Sequence, residues 1–524
     1  MDQLLLPAEH RSILAPIQTF LAEHGCSAWL VGGYVRDLLR GQPSGDIDIA
    51  VTGSALTLAR ELADRTGGAF VPLHDETDTA RIVWKSELAA PTVVDLVRLR
   101  APSIEGDLRL RDLTINALAL PLDAVFDTDD LRGLLLDPTR GQDDLLKRQI
   151  RPCGPTALTD DPLRMLRTAR FAAQFGFALA LQTDAALREH AHRIDSVAQE
   201  RVRDELLKLL AARHAAPWLA YLDEVRLLTR IIPELDAARD CAQPTQHFLP
   251  VLAHLFETVC VWEWLYAQLV PEGEQDHSYG AAEGIVPTAF AEPVSAQTEP
   301  GLAMSQRFAP LIRGRMTQEV TNGHRRYAVF KFAALLHDVA KPLTMQIREG
   351  RITFYGHEDV GADIVRQIGQ RLRLGRDATS YAERVVREHM RPGQLHAQGE
   401  DLTRRAIYRL LRDTGAAAPD VLLHSLCDHL AAKGPRATLA GWEHHVAWTD
   451  AILGNMRTEE PAIPKAHIVT GGDVIRELGI EPGPIVGRIL AAIDEALFLG
   501  EVTTREEALA LAAQIAHADE ERLD

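Results

Sequence analysis

The chain has 524 residues, a length that predicts several domains at about 150 residues each. Its five cysteines are scattered, odd in number and without CxxC spacing, which argues against a disulfide framework or a cysteine zinc site. The formal charge of −18 argues against nucleic-acid binding over the whole surface, because phosphate contacts rely on Lys and Arg. Any such contact would be a local basic surface, and arginines concentrate between residues 140 and 230.

Targeting and membrane signals are missing from the sequence. The N-terminus has no basic stretch followed by an apolar run, so no export signal is evident. No segment approaches the roughly 20 apolar residues that cross a bilayer. We therefore expect a cytoplasmic protein without a membrane partner.

The first 150 residues mix predicted strands and helices. Short runs rich in apolar and β-branched residues alternate with amphipathic stretches such as 54–66, which predicts a small mixed sheet covered by helices. The predicted strands span residues 28–31, 47–51, 69–72, 80–84 and 93–99.

A strand, a glycine pair and a second strand open the chain's most informative segment. Gly32 and Gly33 stand between the first strand and a helix, where a backbone can approach a phosphate closely. Asp46 and Asp48 lie two residues apart on the next strand, so they share one face while Ile47 faces the core. Paired carboxylates can hold one or two Mg²⁺ ions. The pattern predicts metal-assisted nucleotide transfer from a triphosphate; two polar residues on a solvated strand are the structural alternative.

From residue 160 to about 235 the pattern is helical. Arg164, Arg167 and Arg170 recur every three residues, so they share one helix face and can meet phosphates. The alternative is a helix held by ion pairs, with partners at Glu200, Asp204 or Glu205.

Several motifs follow one another in a specific order. After the glycine pair and the two aspartates come RDLTINA at 111–117, DPTRG at 137–141, DDPLRMLRTARF at 160–171 and QERVRDELLKLL at 199–210. In this order and spacing, residues 28 to about 235 resemble the class II tRNA nucleotidyltransferase and bacterial poly(A) polymerase family.

The resemblance implies a role for each matching residue. It places Asp46 and Asp48 at the catalytic metal, with Asp95 as a candidate third carboxylate. It places Asp161 and Arg164 at the Watson–Crick edge of the incoming base, where a carboxylate accepts from an amine and a guanidinium donates. Asn116, which could also cap a helix, would position the nucleotide. The implied nucleotide-binding residues are Gly32, Gly33, Arg36, Arg111, Asn116, Asp161, Arg164, Arg167 and Arg170.

The sequence departs from the family pattern at two places. The family has two arginines before the aspartate of the second motif, and here the first is Leu110. Full CCA-adding members carry a longer flexible loop between Arg100 and Arg111, and its absence in the family marks enzymes that add two cytidines and stop. The resemblance therefore favours CC addition to a tRNA 3′ end from CTP with Mg²⁺. Full CCA addition, A addition and poly(A) polymerase activity from ATP remain alternatives.

A second group of candidate ligands lies in a histidine-rich region. The His337-Asp338 pair ends an apolar helix, His254 lies upstream, and three further candidate ligands, two histidines and one aspartate, follow. The ligand order resembles the HD phosphohydrolase superfamily. The resemblance implies one ion at His254, His337, Asp338 and Asp428, and a second helped by His357 and His389. His and carboxylate ligands suit Mn, Ni, Co, Fe or Zn; the alternative is a fold that has lost its metal.

These elements predict a multidomain α/β and α protein. The expected order is a nucleotidyltransferase head over 1–150, a helical neck over 151–240, an HD domain over 241–440 with a mobile insertion at about 271–301, and a helical tail over 441–524. Two readings from other classes stay open: an HD phosphohydrolase whose head only recognises RNA, and a non-catalytic RNA-binding scaffold.

Overall fold

The computed structural model describes residues 3–42, 45–85, 91–270, 284–321, 323–396, 403–458 and 468–520. The chain divides into two compact units. The first comprises Met1–Ala212, Tyr221–Ile231 and Glu272–Thr288, and the second comprises Arg213–Ala220, Ile232–Pro271 and Ala289–Asp524. No helix among the described residues is long and apolar enough to cross a membrane.

A six-stranded mixed sheet forms the centre of the first unit. Its order is β3-β4-β5-β2-β1-β6; β2 and β5 run parallel and all other neighbours run antiparallel. The predicted mixed sheet is confirmed, and it gains β6, which is too short to show an alternating pattern. The strands are β1 (Ala28–Val31), β2 (Asp46–Val51), β3 (Ala69–His74), β4 (Thr79–Trp84), β5 (Thr92–Arg98) and β6 (Ala119–Pro121).

Helices surround this sheet and continue beyond it. The Ser54 side chain accepts from the Thr57 N–H and caps α3, whose Leu58 and Leu62 are buried. The helices are α1 (Ala8–Glu23), α2 (Gly33–Leu39), α3 (Ala55–Thr66), α4 (Ile104–Arg109), α5 (Gly141–Leu146), α6 (Ala157–Asp160), α7 (Leu163–Phe175), α8 (Leu181–His190), α9 (Gln199–Leu210), α10 (Ala216–Glu224) and α11 (Leu228–Ile231). The chain passes between the two units within α10. Strands β7 (Gln149–Ile150) and β8 (Ala178–Leu179) form a parallel pair.

The second unit is mostly helical and is built around α12, which is buried over most of its length. Trp262 of this helix packs on Phe330 in the core. The helices are α12 (Val251–Leu269), α13 (Val294–Thr298), α14 (Ala309–Met316), α15 (Arg326–Leu336), α16 (Lys341–Thr344), α17 (His357–Arg371), α18 (Arg376–Glu388), α19 (Met390–His396), α20 (Arg404–Thr414), α21 (Ala418–Lys433), α22 (Leu439–Thr458), α23 (Gly471–Leu478), α24 (Pro484–Leu499) and α25 (Arg505–Glu520). Two hairpins accompany them, β9 (Glu319–Thr321) with β10 (His324–Arg325) and β11 (Gln346–Arg348) with β12 (Arg351–Thr353).

Short 3₁₀ turns connect several of these elements. Each is three to six residues long and lies between helices or strands. They are Thr114–Asn116, Ala124–Phe126, Leu131–Leu134, Ala191–Ser196, Pro233–Ala238, Gly415–Ala417 and Gly434–Arg436.

The two compact units do not test the predicted domain boundaries, but the structure describes part of the predicted insertion. The four-domain division at residues 150, 240 and 440 stays a prediction. The first part of the expected mobile insertion, 271–283, lies outside the described residues. The remainder differs from an unstructured loop: Ile285 exchanges backbone hydrogen bonds with Leu179, and α13 begins at Val294.

Candidate active site and metal centre

Three carboxylates lie side by side on the central sheet. Ile47 and Ile49 of β2 are buried, so Asp46 and Asp48 share the opposite face. Asp95 on β5 is paired in register with Asp48. Burial, and then the charges of Asp95 and Asp46, raise the pKa of Asp48 to about 6 despite two nearby arginines. This crowding of negative charge fits a divalent cation at Asp46 and Asp48.

Asp95 already has a cationic partner. The Arg81 guanidinium donates to both oxygens of Asp95, at 2.8 and 2.9 Å. Asp95 also lies outside the wall of the cavity described below. Its role as a third catalytic carboxylate stays a prediction.

The glycine pair brings backbone close to charged side chains. Gly32 has φ of +70°, and a Cβ added there would lie 3.0 Å from Nη1 of Arg111 and 3.5 Å from Oδ2 of Asp48. The backbone conformation at this position favours glycine, and a side chain there would also have to displace the guanidinium group of Arg111. Gly33 begins α2, from which Arg36 donates to Oδ1 of Asn116 at 2.6 Å and to both oxygens of Asp37.

Asn116 therefore connects two parts of the site. It lies at the end of a 3₁₀ turn, and its amide nitrogen donates to Oδ1 of Asp112 at 3.2 Å. The alternative that Asn116 caps an α-helix does not describe these contacts. Its side chain holds Arg36 in place.

A cavity of about 640 Å³ collects these groups. It brings together the predicted residues Gly32, Gly33, Arg36, Asp46, Asp48, Arg111, Asn116, Asp161, Arg164, Arg167 and Arg170. Sequence reasoning did not select seven further wall residues, although several belong to the quoted motifs. They are Tyr34, Asp37, Arg100, Asp112, Phe171, Gln174 and Arg201.

The arginine row faces the cavity and is also held by carboxylates. Arg167 donates to Oδ2 of Asp112 at 2.9 and 2.7 Å, and Glu205 pairs with both Arg167 and Arg170. Burial alone would raise the pKa of Asp112, but Arg167 and other donors lower it to about 2. Burial lowers the pKa of Arg170 to about 10, which leaves it charged at neutral pH. The two interpretations of this row are thus compatible: the ion pairs orient arginines that line the cavity.

The candidate base-reading residues lie in the same cavity. Arg201 donates to Oδ2 of Asp161 at 2.7 Å, and the Leu163 N–H donates to the other oxygen at 3.3 Å. Arg164 donates to the backbone carbonyls of Leu110, Arg111 and Ala157 at 3.1 to 3.3 Å. Neighbouring protein groups therefore orient both side chains.

The predicted metal ligands of the second unit also converge. Nε2 of His254 lies 3.0 Å from Oδ1 of Asp428 and 3.3 Å from Nε2 of His337. On the other side, Oδ1 of Asp338 lies 3.1 Å from Nε2 of His357 and 3.6 Å from Nε2 of His389. The structure brings together all six ligands that the sequence predicts. They lie on α12, α17 and α21 and directly after the ends of α15 and α18.

The orientation of the imidazoles fits a metal centre. Nδ1 of His337, His357 and His389 lies 2.6 to 2.9 Å from a backbone carbonyl three residues earlier, which leaves each Nε2 facing the cluster. Burial would lower the pKa of His337, but Asp338 and Asp428 raise it to about 10. The cluster therefore attracts positive charge, as a cation site does.

A second cavity, of about 600 Å³, opens beside this cluster. Asp338, His357, His389 and Asp428 reach it. Sequence reasoning assigned no role to two of its neighbours, one of them His247, which lies close to a predicted exposed loop. Lys341 contacts Oδ2 of Asp338 at 2.5 Å, and His247 has a ring nitrogen within 4.8 Å of ligand atoms of His254 and Asp338. His424 was also missed; it is fully buried and packs on His337.

The sheet, the carboxylate pair and the arginine-lined cavity define the class of protein as a nucleotidyltransferase. Matching family models agree: the poly A polymerase head domain over residues 28–151, the probable RNA and SrmB-binding site of polymerase A over 176–239, the HD domain over 317–432, and a putative tRNA nucleotidyltransferase domain 2 over 462–513.

Comparison with known proteins gives the family. The chain is 33% identical over 490 residues to an A-adding tRNA nucleotidyltransferase of Deinococcus radiodurans, covering 92% of this chain and 94% of the relative. It is 32% identical over 518 residues to a CC-adding tRNA nucleotidyltransferase of Geobacter sulfurreducens, covering 97% and 96%. The chain belongs to the tRNA nucleotidyltransferase family, and the resemblance stated from its motifs is confirmed.

Solved structures show the same fold. The CCA-adding enzyme of Bacillus stearothermophilus in complex with CTP matches with a TM-score of 0.59 at 21% identity, over 99% of this chain and 100% of that one. A Thermotoga maritima CCA-adding enzyme complexed with tRNA matches with a TM-score of 0.55 at 20% identity, over 98% of both chains.

Proposed function

We propose that the first unit adds two cytidines to the 3′ end of tRNA, using CTP and Mg²⁺, in the cytoplasm. The cavity that joins Asp46 and Asp48 to Gly32, Gly33 and a set of arginines carries this proposal. Paired carboxylates, a close backbone turn and guanidinium groups are what a nucleoside triphosphate and a metal ion require.

The reaction is attack of the tRNA 3′-hydroxyl on the α-phosphate, with pyrophosphate as the leaving group. Asp46 and Asp48 would hold Mg²⁺, which when bound offsets negative charge at the reacting phosphate. Arg36 and Arg111, held by Asn116 and by neighbouring carboxylates, orient the triphosphate. Orientation and charge stabilisation of this kind account for most of the catalysis of phosphoryl and nucleotidyl transfer.

Asp161 and Arg164 would read the base in place of a nucleic-acid template. A carboxylate accepts from the exocyclic amine of cytosine or adenine, and a guanidinium donates to a ring nitrogen or carbonyl. Both side chains line the cavity and are held in place by Arg201 and by backbone carbonyls. Such a pair disfavours uracil and guanine, which present the opposite donor pattern.

The short connection between β5 and α4 supports a stop after two cytidines. The segment between Arg100 and Arg111, where the longer loop of the family lies, is mostly taken up by α4, so only residues 99–103 connect Arg98 of β5 to Ile104. The family's longer loop at this place accompanies the switch from C to A addition. The relatives include both CC-adding and A-adding enzymes, so the number and kind of additions need a direct test.

The test uses a tRNA transcript that lacks its last three nucleotides, with Mg²⁺ and CTP, ATP or both. We expect two additions with CTP, only slow misincorporation with ATP alone and no third addition with both. A third addition with both nucleotides would establish full CCA addition. Addition of A to a CC-ended transcript, or a long A tract, would replace CC addition with A addition or poly(A) synthesis.

The second unit supports a second activity, metal-dependent hydrolysis of a phosphoester. The converging ligands carry this proposal: His254, His337, Asp338 and Asp428 would hold one ion, and His357 and His389 would help to hold another. Mn, Ni, Co, Fe or Zn suits these ligands, and such an ion activates water when bound. The test is hydrolysis of bis-(p-nitrophenyl) phosphate after loading with each metal, with the His337→Ala/Asp338→Ala variant as the control.

A further inference from the structure

A buried carboxylate behind the nucleotide cavity holds two of its arginines. Asp107 on α4 is 2% exposed and does not reach the cavity wall. Its Oδ1 accepts from the backbone N–H of Arg100 at 3.0 Å and from Nε of Arg100 at 3.1 Å. Its Oδ2 accepts from Nε of Arg111 at 3.1 Å. One side chain thus fixes both the connection after β5 and an arginine beside the carboxylate pair.

The end of α4 also orients the base-reading arginine. Nη2 of Arg164 donates to the carbonyl of Leu110 and Nη1 donates to that of Arg111, at 3.1 and 3.3 Å. These carbonyls directly follow α4, which ends at Arg109. A movement of α4 would therefore move the acceptors that hold Arg164.

Asp107 carries a negative charge opposite the two positively charged arginines that it contacts, Arg100 and Arg111. Burial alone would raise its pKa, but Arg111 and Arg100 lower it, so the carboxylate is charged at neutral pH. Removing a buried carboxylate that pairs with two guanidinium groups is strongly destabilising, because it leaves their positive charges without a partner. The contact is therefore a firm link between the connection 99–103 and α4.

We propose that Asp107 is a positioning residue that sets nucleotide choice: it ties the short connection 99–103 to α4 and so keeps Arg164 in one orientation. This inference rests on the proposed reading of the base by Asp161 and Arg164.

The test compares Asp107→Asn with a matched control. Asp420 in the second unit is also buried and also pairs with two arginines, Arg315 and Arg326, so Asp420→Asn removes an equivalent charge elsewhere. The measurement is kcat/KM for CTP and for ATP on the tRNA transcript that lacks its last three nucleotides. We expect Asp107→Asn to reduce the ratio of the two values about tenfold. Asp420→Asn should leave the ratio unchanged, whatever it does to the melting temperature.

A second variant covers the case in which Asp107→Asn does not fold. Pro102 and Ser103 are exposed, so two glycines inserted between them lengthen the connection without burying an unpaired charge. The insertion should reduce the ratio in the same direction. An unchanged ratio in either folded variant would overturn the inference. If the wild-type protein prefers ATP, the proposal of CC addition fails. The role of Asp107 is then decided by whether the variants bring the ratio of the two kcat/KM values closer to one.

Discussion

Asp48 lies among other carboxylates, and its pKa is higher than that of a solvated surface aspartate. Such an environment fits a metal ligand. The neighbour of Asp48 across the sheet is Asp95 and its neighbour along the strand is Asp46, and burial adds to their repulsion. These effects favour the protonated form, and they are relieved when a cation arrives. The residue therefore connects the pH of the solution to metal binding.

The raised pKa of Asp48 predicts a pH dependence of nucleotide addition. The carboxylate form binds the metal, and with a pKa of about 6 this form is depleted as the pH falls through 6. At limiting Mg²⁺ we expect incorporation of CTP to fall about tenfold for each pH unit below 6. Higher Mg²⁺ competes with the proton, so it should move the midpoint of the profile to lower pH. A midpoint independent of Mg²⁺ would contradict the assignment.

Asp161 predicts a change in base choice rather than a general loss. Asp161→Ala removes the acceptor for the exocyclic amine and frees Arg201, while the carboxylate pair stays intact. We expect the preference for CTP over UTP to fall about tenfold or more, since one good base contact contributes about 1–3 kcal/mol. Competition assays with mixed triphosphates measure the preference. The exposed neighbour Asp160 provides the control, because Asp160→Ala should leave the preference as it is.

At the level of elements, close packing of two short segments sets the position of Asn116. A Cβ on Gly141, at the start of α5, would lie 2.0 Å from the carbonyl oxygen of Thr114, in the 3₁₀ turn that ends at Asn116. The glycine of the DPTRG motif therefore allows α5 to pack directly against the backbone of the turn. Asn116, at the end of this turn, accepts the hydrogen bond from Arg36.

Gly141→Ala is expected to destabilise the first unit and to weaken nucleotide binding. The added methyl group must displace backbone, and overpacking of this kind costs about 1–3 kcal/mol. The displaced turn would carry Asn116 away from Arg36, so KM for CTP should rise. Chemical denaturation and steady-state kinetics measure the two effects. Gly133→Ala meets nothing within 4 Å and serves as the control; equal behaviour of the two variants would refute the packing argument.

The elements also show what sequence patterns could predict. The bounds of β1 and α9 match the predicted short apolar run and the predicted helical stretch, and the residues of the predicted metal and nucleotide sites lie together, with Asp95 beside Asp48 but outside the cavity wall. Some partners that orient them needed the structure. Arg201 pairs with Asp161 and Glu205 pairs with Arg170 between segments far apart in sequence; periodicity alone does not identify these pairs, although Glu205 was among the possible ion-pair partners. Asp107 pairs with Arg111 one helical turn away, a spacing that the sequence does show, but its burial and its contacts with Arg100 came from the structure. The pairing of Asp95 with Arg81 depends on the register of two strands.

For the molecule as a whole, two sets of candidate metal ligands occupy two compact units. The carboxylate pair of β2 belongs to the first unit, and the histidine cluster belongs to the second. Each set is complete within its own unit. The proposed transfer and hydrolysis should therefore be separable by mutation, which an enzyme with one shared site would not allow.

The most direct test of this account measures incorporation of radiolabelled CTP into tRNA lacking its last three nucleotides, for three proteins. These are wild type, Asp48→Asn, and His337→Ala/Asp338→Ala. We expect Asp48→Asn to lower the rate at least about a thousandfold, equivalent to about 4 kcal/mol of transition-state stabilisation, while the double variant adds cytidines at the wild-type rate. Undiminished incorporation by a folded Asp48→Asn protein would contradict the central claim that the carboxylates of β2 hold the catalytic metal.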